Sequence, residues 1–415
     1  RATGLDRSII EQAARMFAES SATVTCWAMG ITQHRNAVAT IKEIANVAFL
    51  QGNIGKPGAG LCPVRGHSNV QGDRTMGIWE RPTEEFLDKL SAEFGFEPPR
   101  EHGLDAVAAV QALLDGKAKV FLGMGGNFVS AMADTLVTEK ALRNAELTVH
   151  VSTKLNRSHV VHGTEALILP ALGRSEKDLT GGRPQRVTVE DSMSAVHASK
   201  GPLAPASEHL KSEVDIVCSL AEATLAGRTD ATGSLPWADF RADYTEIRRR
   251  IARVAPGCDD YDTLVERPGG FVLPHPPRDS RSFPTKVGKA VFTATPVQVL
   301  EVPEGRLVLQ TMRSHDQFNT TIYGLDDRYR GIKNGRRVVF VNPDDIAALG
   351  FEEGAMVDLV SEWRDGSVRR APAFRVVPYE QPRGCAAAYY PETNPLIPLD
   401  HKAEGSNQQI GRAHV

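Results

Sequence analysis

Residues 50–72, LQGNIGKPGAGLCPVRGHSNVQG, crowd glycine around Lys56, Arg65 and His67. Glycine is entropically costly to order, but it admits unusual φ and lets backbone N–H groups come close to a ligand. Arg65 adds a permanently charged planar fork suited to a carboxylate or phosphate. His67 can take up or release a proton near neutrality. Such a loop could hold a polar ligand and orient a small anion beside it. A phosphate loop of the nucleoside-triphosphatase kind is excluded: two residues rather than four separate Gly52 from Gly55, Pro57 follows Lys56, and a helix precedes the loop. The same composition also suits a plain connection between helix and sheet, so the loop alone decides nothing.

The surrounding elements must position it. The spacing of Ile9, Ala13, Met16 and Phe17 predicts a helix over 5–19 with Asp6 as N-cap, and ATVTCWAMG at 22–30 a buried strand. Ala37, Ile41, Ile44, Ala45 and Ala48 form a helical stripe leading into the glycine loop. LDAVAAVQALLDG at 104–116 predicts a helix, AKVFLGMGGN at 118–127 a strand ending in a Gly-Gly-Asn turn, followed by a helix at 130–143 and strands at 147–152 and 165–170. That order is a parallel βαβ unit, whose ligands lie beyond the carboxyl ends of the strands, where Gly125 and Asn127 fall. Residues 171–300 are irregular and proline-rich, expected as surface excursions and a linker. From 305 short strands and turns predict a small β-barrel.

Bulk properties exclude several classes. The 415 residues carry a net charge of -3 with Lys and Arg scattered, so no nucleic-acid groove and no anionic membrane surface is indicated. The EIRRR run at 246–250 reads as a solvated helix face. The longest apolar runs fall far short of the ~20 residues of a membrane span. Five dispersed cysteines without zinc spacing suggest free thiols and a cytoplasmic location. His159 and His162 lack nearby carboxylates and read as surface or satisfied core residues. The chain begins without Met or leader, directly in a helix, and is expected to be a fragment. IGRAHV at its end is what a common sequencing-adapter run encodes, so 409–415 is expected to be a non-native tail.

The ordered set WAMGITQHRNAVATIKEIANVAFLQGNIGKPGAGLCPVRGHSNVQGDRTMG, VFLGMGGNF, STKLNRSHVVHGTEALILP, TVEDSMS, LQTMRSHDQFNTTIYGLDDRYRG and YYPETNPLIP resembles the catalytic subunits of the molybdopterin oxidoreductase family, in particular formate-dehydrogenase-like alpha subunits. The resemblance covers residues 1–408. It implies an α/β fold with two αβα (Rossmann-like) domain portions, 1–68 and 69–175, then 176–304 as excursions and linker, and a C-terminal double-psi β-barrel, 305–408. It implies a bis-molybdopterin guanine dinucleotide cofactor with Mo or W. The metal ligand and any 4Fe-4S cluster are expected upstream of this chain, which should be inactive by itself.

Residue by residue, the resemblance gives Arg65 as the active-site arginine that meets an anionic substrate. His67 is a second catalytic candidate, standing where better-known formate dehydrogenases carry Gln. Gly66, Met29, Gln33, Gly125, Asn127, Thr311, Arg313, Gln317, Asn319, Thr320 and Asn394 are implied cofactor contacts. No metal ligand is assigned within the chain. The implied activity is two-electron redox of a small substrate, with formate oxidation to CO2 leading and an electron-transfer protein as partner. The alternatives are a same-fold enzyme acting on nitrate or an N- or S-oxide, or a structural subunit that has lost its cofactor.

Overall fold

The computed structural model describes residues 3–65, 69–364, 366–410 and 412–415. Gly66 and His67, both candidate site residues, lie outside the described residues. Two parallel strands, β1 (Val24–Trp27) and β2 (Gly60–Pro63), pair from Val24 opposite Gly60 to Trp27 opposite Pro63. Helix Ala37–Leu50 links them and buries Ala37 and Ala48, as its stripe predicts. Glycine is required at position 55: its φ is +67°, and a Cβ there would stand 3.1 Å from the Pro277 carbonyl oxygen. The strand expected to be buried is not. Val24 is half exposed, and helix Arg7–Glu19 buries no residue, so Ile9, Met16 and Phe17 face outward. A two-stranded ribbon offers too little facing surface to cover both.

The second unit follows the expected βαβ order. β3 (Val120–Met124), β4 (Leu147–Ser152) and β5 (Glu165–Pro170) form a parallel sheet in that sequence. Asp105 caps helix Ala106–Leu114 by accepting the Ala108 N–H at 2.8 Å. That helix and helix Thr135–Arg143 bury Val110, Leu113, Ala141 and Leu142 in one core. The single helix predicted over 130–143 is instead two, Phe128–Ala131 and Thr135–Arg143. Asp134 between them takes left-handed φ of 47° and binds Arg369, while the carbonyls of residues 130–132 accept from Asn394 rather than from a continuing helix.

Much of the stretch expected to be excursions and linker is ordered. β6 (Val187–Glu190), β7 (Ala195–Ser199) and β8 (Phe271–Val272) form an antiparallel sheet whose core holds Val196, Cys258, Tyr261 and Val265. Helices Glu213–Leu225, Trp237–Ala242 and Tyr244–Val254 accompany it. Strands this short, between proline-rich loops, leave no readable alternation. The EIRRR face is corrected too: Arg248 is buried, donating to the Arg186 carbonyl (3.0 Å) and Thr245 Oγ1 (2.9 Å), while Arg249 and Arg250 pair with Glu246.

The C-terminal part is a curled β half-barrel of six strands. β9 (Val308–Met312), β10 (Val338–Val341), β11 (Met356–Glu362), β12 (Val368–Pro378), β13 (Cys385–Tyr389) and β14 (Arg412–His414) lie in the order β11-β12-β10-β13-β9-β14. Leu309, Val339, Leu359, Phe374, Val376 and Leu396 fill its interior. β14 belongs to the segment expected to be a tail: it pairs with the edge of β9, and Ile410 is buried against Ala37 and Ala403. An open strand edge accepts any extended segment whatever its origin, so the pairing does not speak to where that segment comes from. Among the described residues, no helix is long and apolar enough to cross a membrane.

Candidate functional site

A cavity of about 1000 Å³ opens where the first unit, the second unit and the half-barrel meet. The first unit reaches it at the carboxyl end of its parallel pair, the place such sheets offer to ligands. The turn after β1 delivers Met29 and Gln33. Val64 donates to the Trp27 carbonyl at 2.7 Å, carrying the pairing one residue past β2, so Arg65 leaves the sheet at the cavity wall. The Arg65 guanidinium donates to Gln71 Oε1 (3.1 Å), and its backbone N–H to Ser192 Oγ (3.1 Å).

From the half-barrel come Thr311 and Arg313 at the end of β9, then Gln317, Asn319 and Asn394. Arg313 spans the gap between units: its guanidinium lies over the Tyr390 ring (5.2 Å) and donates toward Met29 Sδ (3.4 Å). Burial, opposed by Arg313, pushes the Tyr390 phenol up to about 12, so it stays neutral and donates to Asn319 Oδ1 at 2.9 Å. Gln317 lines the wall, but its amide is engaged within the protein. It accepts from the Ser314 N–H (3.0 Å) and Arg336 (3.0 Å) and donates to the carbonyls of Asn319 (2.7 Å) and Tyr390 (2.9 Å). Asn394 likewise spends its amide N–H groups on the carbonyls of Ser130 (2.7 Å), Ala131 (3.3 Å) and Met132 (3.1 Å), stitching the half-barrel to the second unit.

Three candidates are not brought to this wall. Gly125 turns with φ +69° and donates to the Val151 carbonyl (2.7 Å), while Asn127 is buried and accepts from Ser158 Oγ (3.0 Å). Thr320 is buried against the Asn127 carbonyl at 3.5 Å. Together they join the Gly-Gly-Asn turn to the half-barrel behind the cavity.

Sequence reasoning missed several residues. Arg336, in what reads as an exposed Arg-Arg pair, is buried between the rings of Tyr323 (4.4 Å) and Tyr389 (5.0 Å). It binds Glu392 (2.7 Å), Ser314 Oγ (2.8 Å) and the Tyr390 carbonyl (2.7 Å). Nothing in local spacing marks it. Tyr390, by contrast, sits inside the quoted YYPETNPLIP motif. Gln409 lines the cavity with a buried Nε2 that has no partner among the described residues, its Oε1 accepting the Ala133 N–H at 3.1 Å.

The His159 of SHVVH is buried and lies tilted against His150, centroids 5.0 Å apart. It accepts the Asn156 N–H (2.9 Å), and Asn156 in turn donates to the Gly126 carbonyl (2.8 Å), so the pair underlies the Gly-Gly-Asn turn. Burial, with His159 adding to it, holds the His150 pKa below its ordinary value. The unfolded chain therefore takes up a proton first as pH falls, and stability present above about 6.5 is lost on going toward the lower folded value. Urea midpoints of the wild type should drop between pH 7 and 5, and His150→Leu should flatten that slope; parallel profiles would refute the assignment.

The wall suits a large polar ligand, with more cations than carboxylates facing it. Its volume is at the upper end of the ~300–1,000 Å³ typical of small-molecule sites. Arg65, Arg74 and Arg313 contribute cations, Glu80 and Asp105 carboxylates, and Thr311 and Gln33 neutral donors. Among the described residues, no group of three His, Cys, Asp or Glu side chains could hold a metal ion.

Comparison with known proteins agrees with this arrangement. Residues 307–408 match the molydopterin dinucleotide binding domain. The chain is 60% identical over 418 residues to an uncharacterized oxidoreductase of Mycobacterium tuberculosis, covering 100% of this chain and 53% of that protein. It is 43% identical over 407 residues to protein YdeP of Escherichia coli, covering 97% and 53%. Formate dehydrogenase H of Escherichia coli is 32% identical over 156 residues, 35% of this chain and 22% of that one. The chain thus spans about half the length of the curated relatives it matches throughout. Among solved structures, acetylene hydratase from Pelobacter acetylenicus superposes with a TM-score of 0.63 at 15% identity, over 99% of this chain and 63% of that one, a likeness of fold. A donor-lined cavity at the carboxyl end of a parallel sheet, roofed by a half-barrel with the dinucleotide-binding signature, has one explanation consistent with these relatives: the chain belongs to the molybdopterin oxidoreductase family.

Proposed function

We propose that the protein containing this chain is an oxidoreductase that oxidises formate to CO2 on a bis-molybdopterin guanine dinucleotide carrying Mo or W. The reading assigns 1–68 and 69–175 to two cofactor-binding αβα portions and 305–408 to a double-psi β-barrel. The observation that carries it is the emergence of Arg65 from β2 onto the same wall as Thr311 and Arg313. When bound, the cofactor's metal centre would supply two-electron redox chemistry.

The chain's own residues supply position and charge. Arg65 holds a small carboxylate by a two-pronged, permanently charged donor set. Arg313, Thr311 and Gln33 offer donors to phosphates and ring heteroatoms that would otherwise be buried without partners. Gln317, Asn319 and Asn394 act by fixing the loops that present those donors. His67 is the candidate proton carrier. A 4Fe-4S cluster in the remainder of the protein and an electron-transfer protein beyond it complete the scheme. A cofactor-less scaffold would have no use for a donor-lined wall of this kind.

The test uses the full-length protein, purified without oxygen. Metal analysis should find Mo or W, and formate should reduce a viologen dye. Metal-free but well-folded protein would sink the redox reading. Metal-loaded protein that ignores formate yet oxidises reduced dye with nitrate or an N- or S-oxide would keep the family chemistry and replace the substrate.

A further inference from the structure

We propose that the turn between β6 and β7 positions Arg65, with Ser192 and Glu190 as the positioning residues. The inference rests on the reading of Arg65 as the partner of the substrate anion. Two hydrogen bonds grip the chain on either side of residues 66–68. Arg65 donates its backbone N–H to Ser192 Oγ (3.1 Å), and Glu190 donates its own to Asn69 Oδ1 (2.9 Å).

The gripping turn is rigid in its own right. Asp191 Oδ1 accepts the N–H groups of Met193 (2.8 Å) and Ala195 (3.0 Å), and the Asp191 carbonyl accepts that of Ser194 (3.0 Å). β7 behind it is paired on both sides and seated on the core through Val196. The turn therefore belongs to a unit other than the one that carries Arg65, and fixes the loop from outside.

Close packing makes the grip specific. A Cβ on Gly72 would stand 3.3 Å from Glu190 Cβ and 2.2 Å from Asn69 Oδ1, so Asn69 could retreat only by releasing the Glu190 N–H. Glu190 is 3% exposed, and its carboxyl oxygens have no partner of full hydrogen-bond geometry among the described residues. Burial, eased by the hydroxyls of Thr75 and Ser194 nearby, raises its pKa above the usual carboxylate value. The Glu190 side chain packs against Gly72 and so backs the loop from behind. With its backbone tied to Ser192 and its guanidinium to Gln71, Arg65 has little freedom left to drift, and small displacements of a substrate-orienting group are expensive in rate.

The experiment uses full-length, cofactor-loaded protein with three variants, Ser192→Ala, Ser192→Thr and Arg65→Ala. In Ser192→Ala, hydrogen exchange at the Arg65 amide should quicken several-fold and kcat/KM for formate fall about tenfold with metal content unchanged. Ser192→Thr should restore both. Ser192→Ala added to Arg65→Ala should cost nothing further, because the two act through one group. Unchanged exchange would overturn the grip. Faster exchange with unaltered kinetics, in an enzyme that Arg65→Ala inactivates, would make it a structural bond only and overturn the positioning role. Full activity of Arg65→Ala would instead overturn the reading of Arg65 itself, and the positioning role with it.

Discussion

On the proposed reading, Arg65→Ala in the full-length, cofactor-loaded protein will lower formate turnover by roughly 10²–10³, the loss expected on deleting one preorganised donor. Metal content will stay near that of the wild type, because Arg313, Thr311 and Gln33 grip the cofactor independently of Arg65 in this reading. Arg65→Lys should recover little, since an ammonium has no planar fork. Gln71 adds a further expectation about cause. It holds the guanidinium at 3.1 Å, so part of the arginine's value is that its orientation is already set when substrate arrives. Steady-state kinetics and metal analysis on the same preparations decide the matter. Near-normal activity, or parallel loss of activity and metal, would remove the catalytic role.

Asp327→Ala will destabilise the half-barrel by roughly 3–5 kcal/mol, the range seen when one partner of a buried charged network is removed. The Asp327 side chain is fully buried. It accepts from Tyr389 (2.8 Å), Arg330 (2.8 Å) and His315 Nδ1 (3.1 Å), and from the N–H groups of His315, Tyr329 and Arg330. Burial alone would raise its pKa, but the hydrogen bonds of Tyr389, Arg330 and His315 outweigh it and hold the carboxyl well below the usual range. A depressed folded pKa gives stability that is present above the unfolded value of about 3.9 and lost as pH falls toward the folded one. The difference in denaturation midpoint between wild type and Asp327→Ala should therefore be large at pH 7 and shrink below about pH 4. A small difference at neutral pH would show that water or neighbours replace the carboxylate at little cost.

The sequence made the parallel unit legible because its signals are local. Strands 147–152 and 165–170 coincide with β4 and β5, and Asp105 and Gly116 bound the helix between the predicted limits. Periodicity failed where tertiary contacts overrule it. The helix at 130–143 is broken by Asn394 and Arg369, some 230 to 260 residues away in sequence, and no local pattern reports that. The linker reading failed because β6 to β8 are too short to alternate and are paired across distant segments.

The site was legible to a different degree. Motif order led to Met29, Gln33, Arg65, Thr311 and Arg313, all of which line one cavity. It gave no means of separating residues on the wall from those buried behind it, such as Thr320 and Asn127, because motif order carries no information on burial. Ser192 illustrates the same limit. TVEDSMS belongs to the ordered motif set, but the Arg65 N–H that Ser192 Oγ accepts lies 127 residues away in sequence.

The bonds from Asn394 to the carbonyls of residues 130–132, from Arg369 to Asp134, and from Thr320 to the Asn127 carbonyl tie the second unit and the half-barrel, two of the three parts that meet at the cavity, into one body before anything enters it. A ligand lodged against those two has no lobes to draw together there. Its contact energy goes into affinity instead of ordering the protein, which keeps the entropy loss on binding small. The same ties set a kinetic condition: a large dinucleotide cannot enter or leave by parting the second unit from the half-barrel, so loading and release must use the existing opening, displace the first unit, or wait for those buried bonds to break.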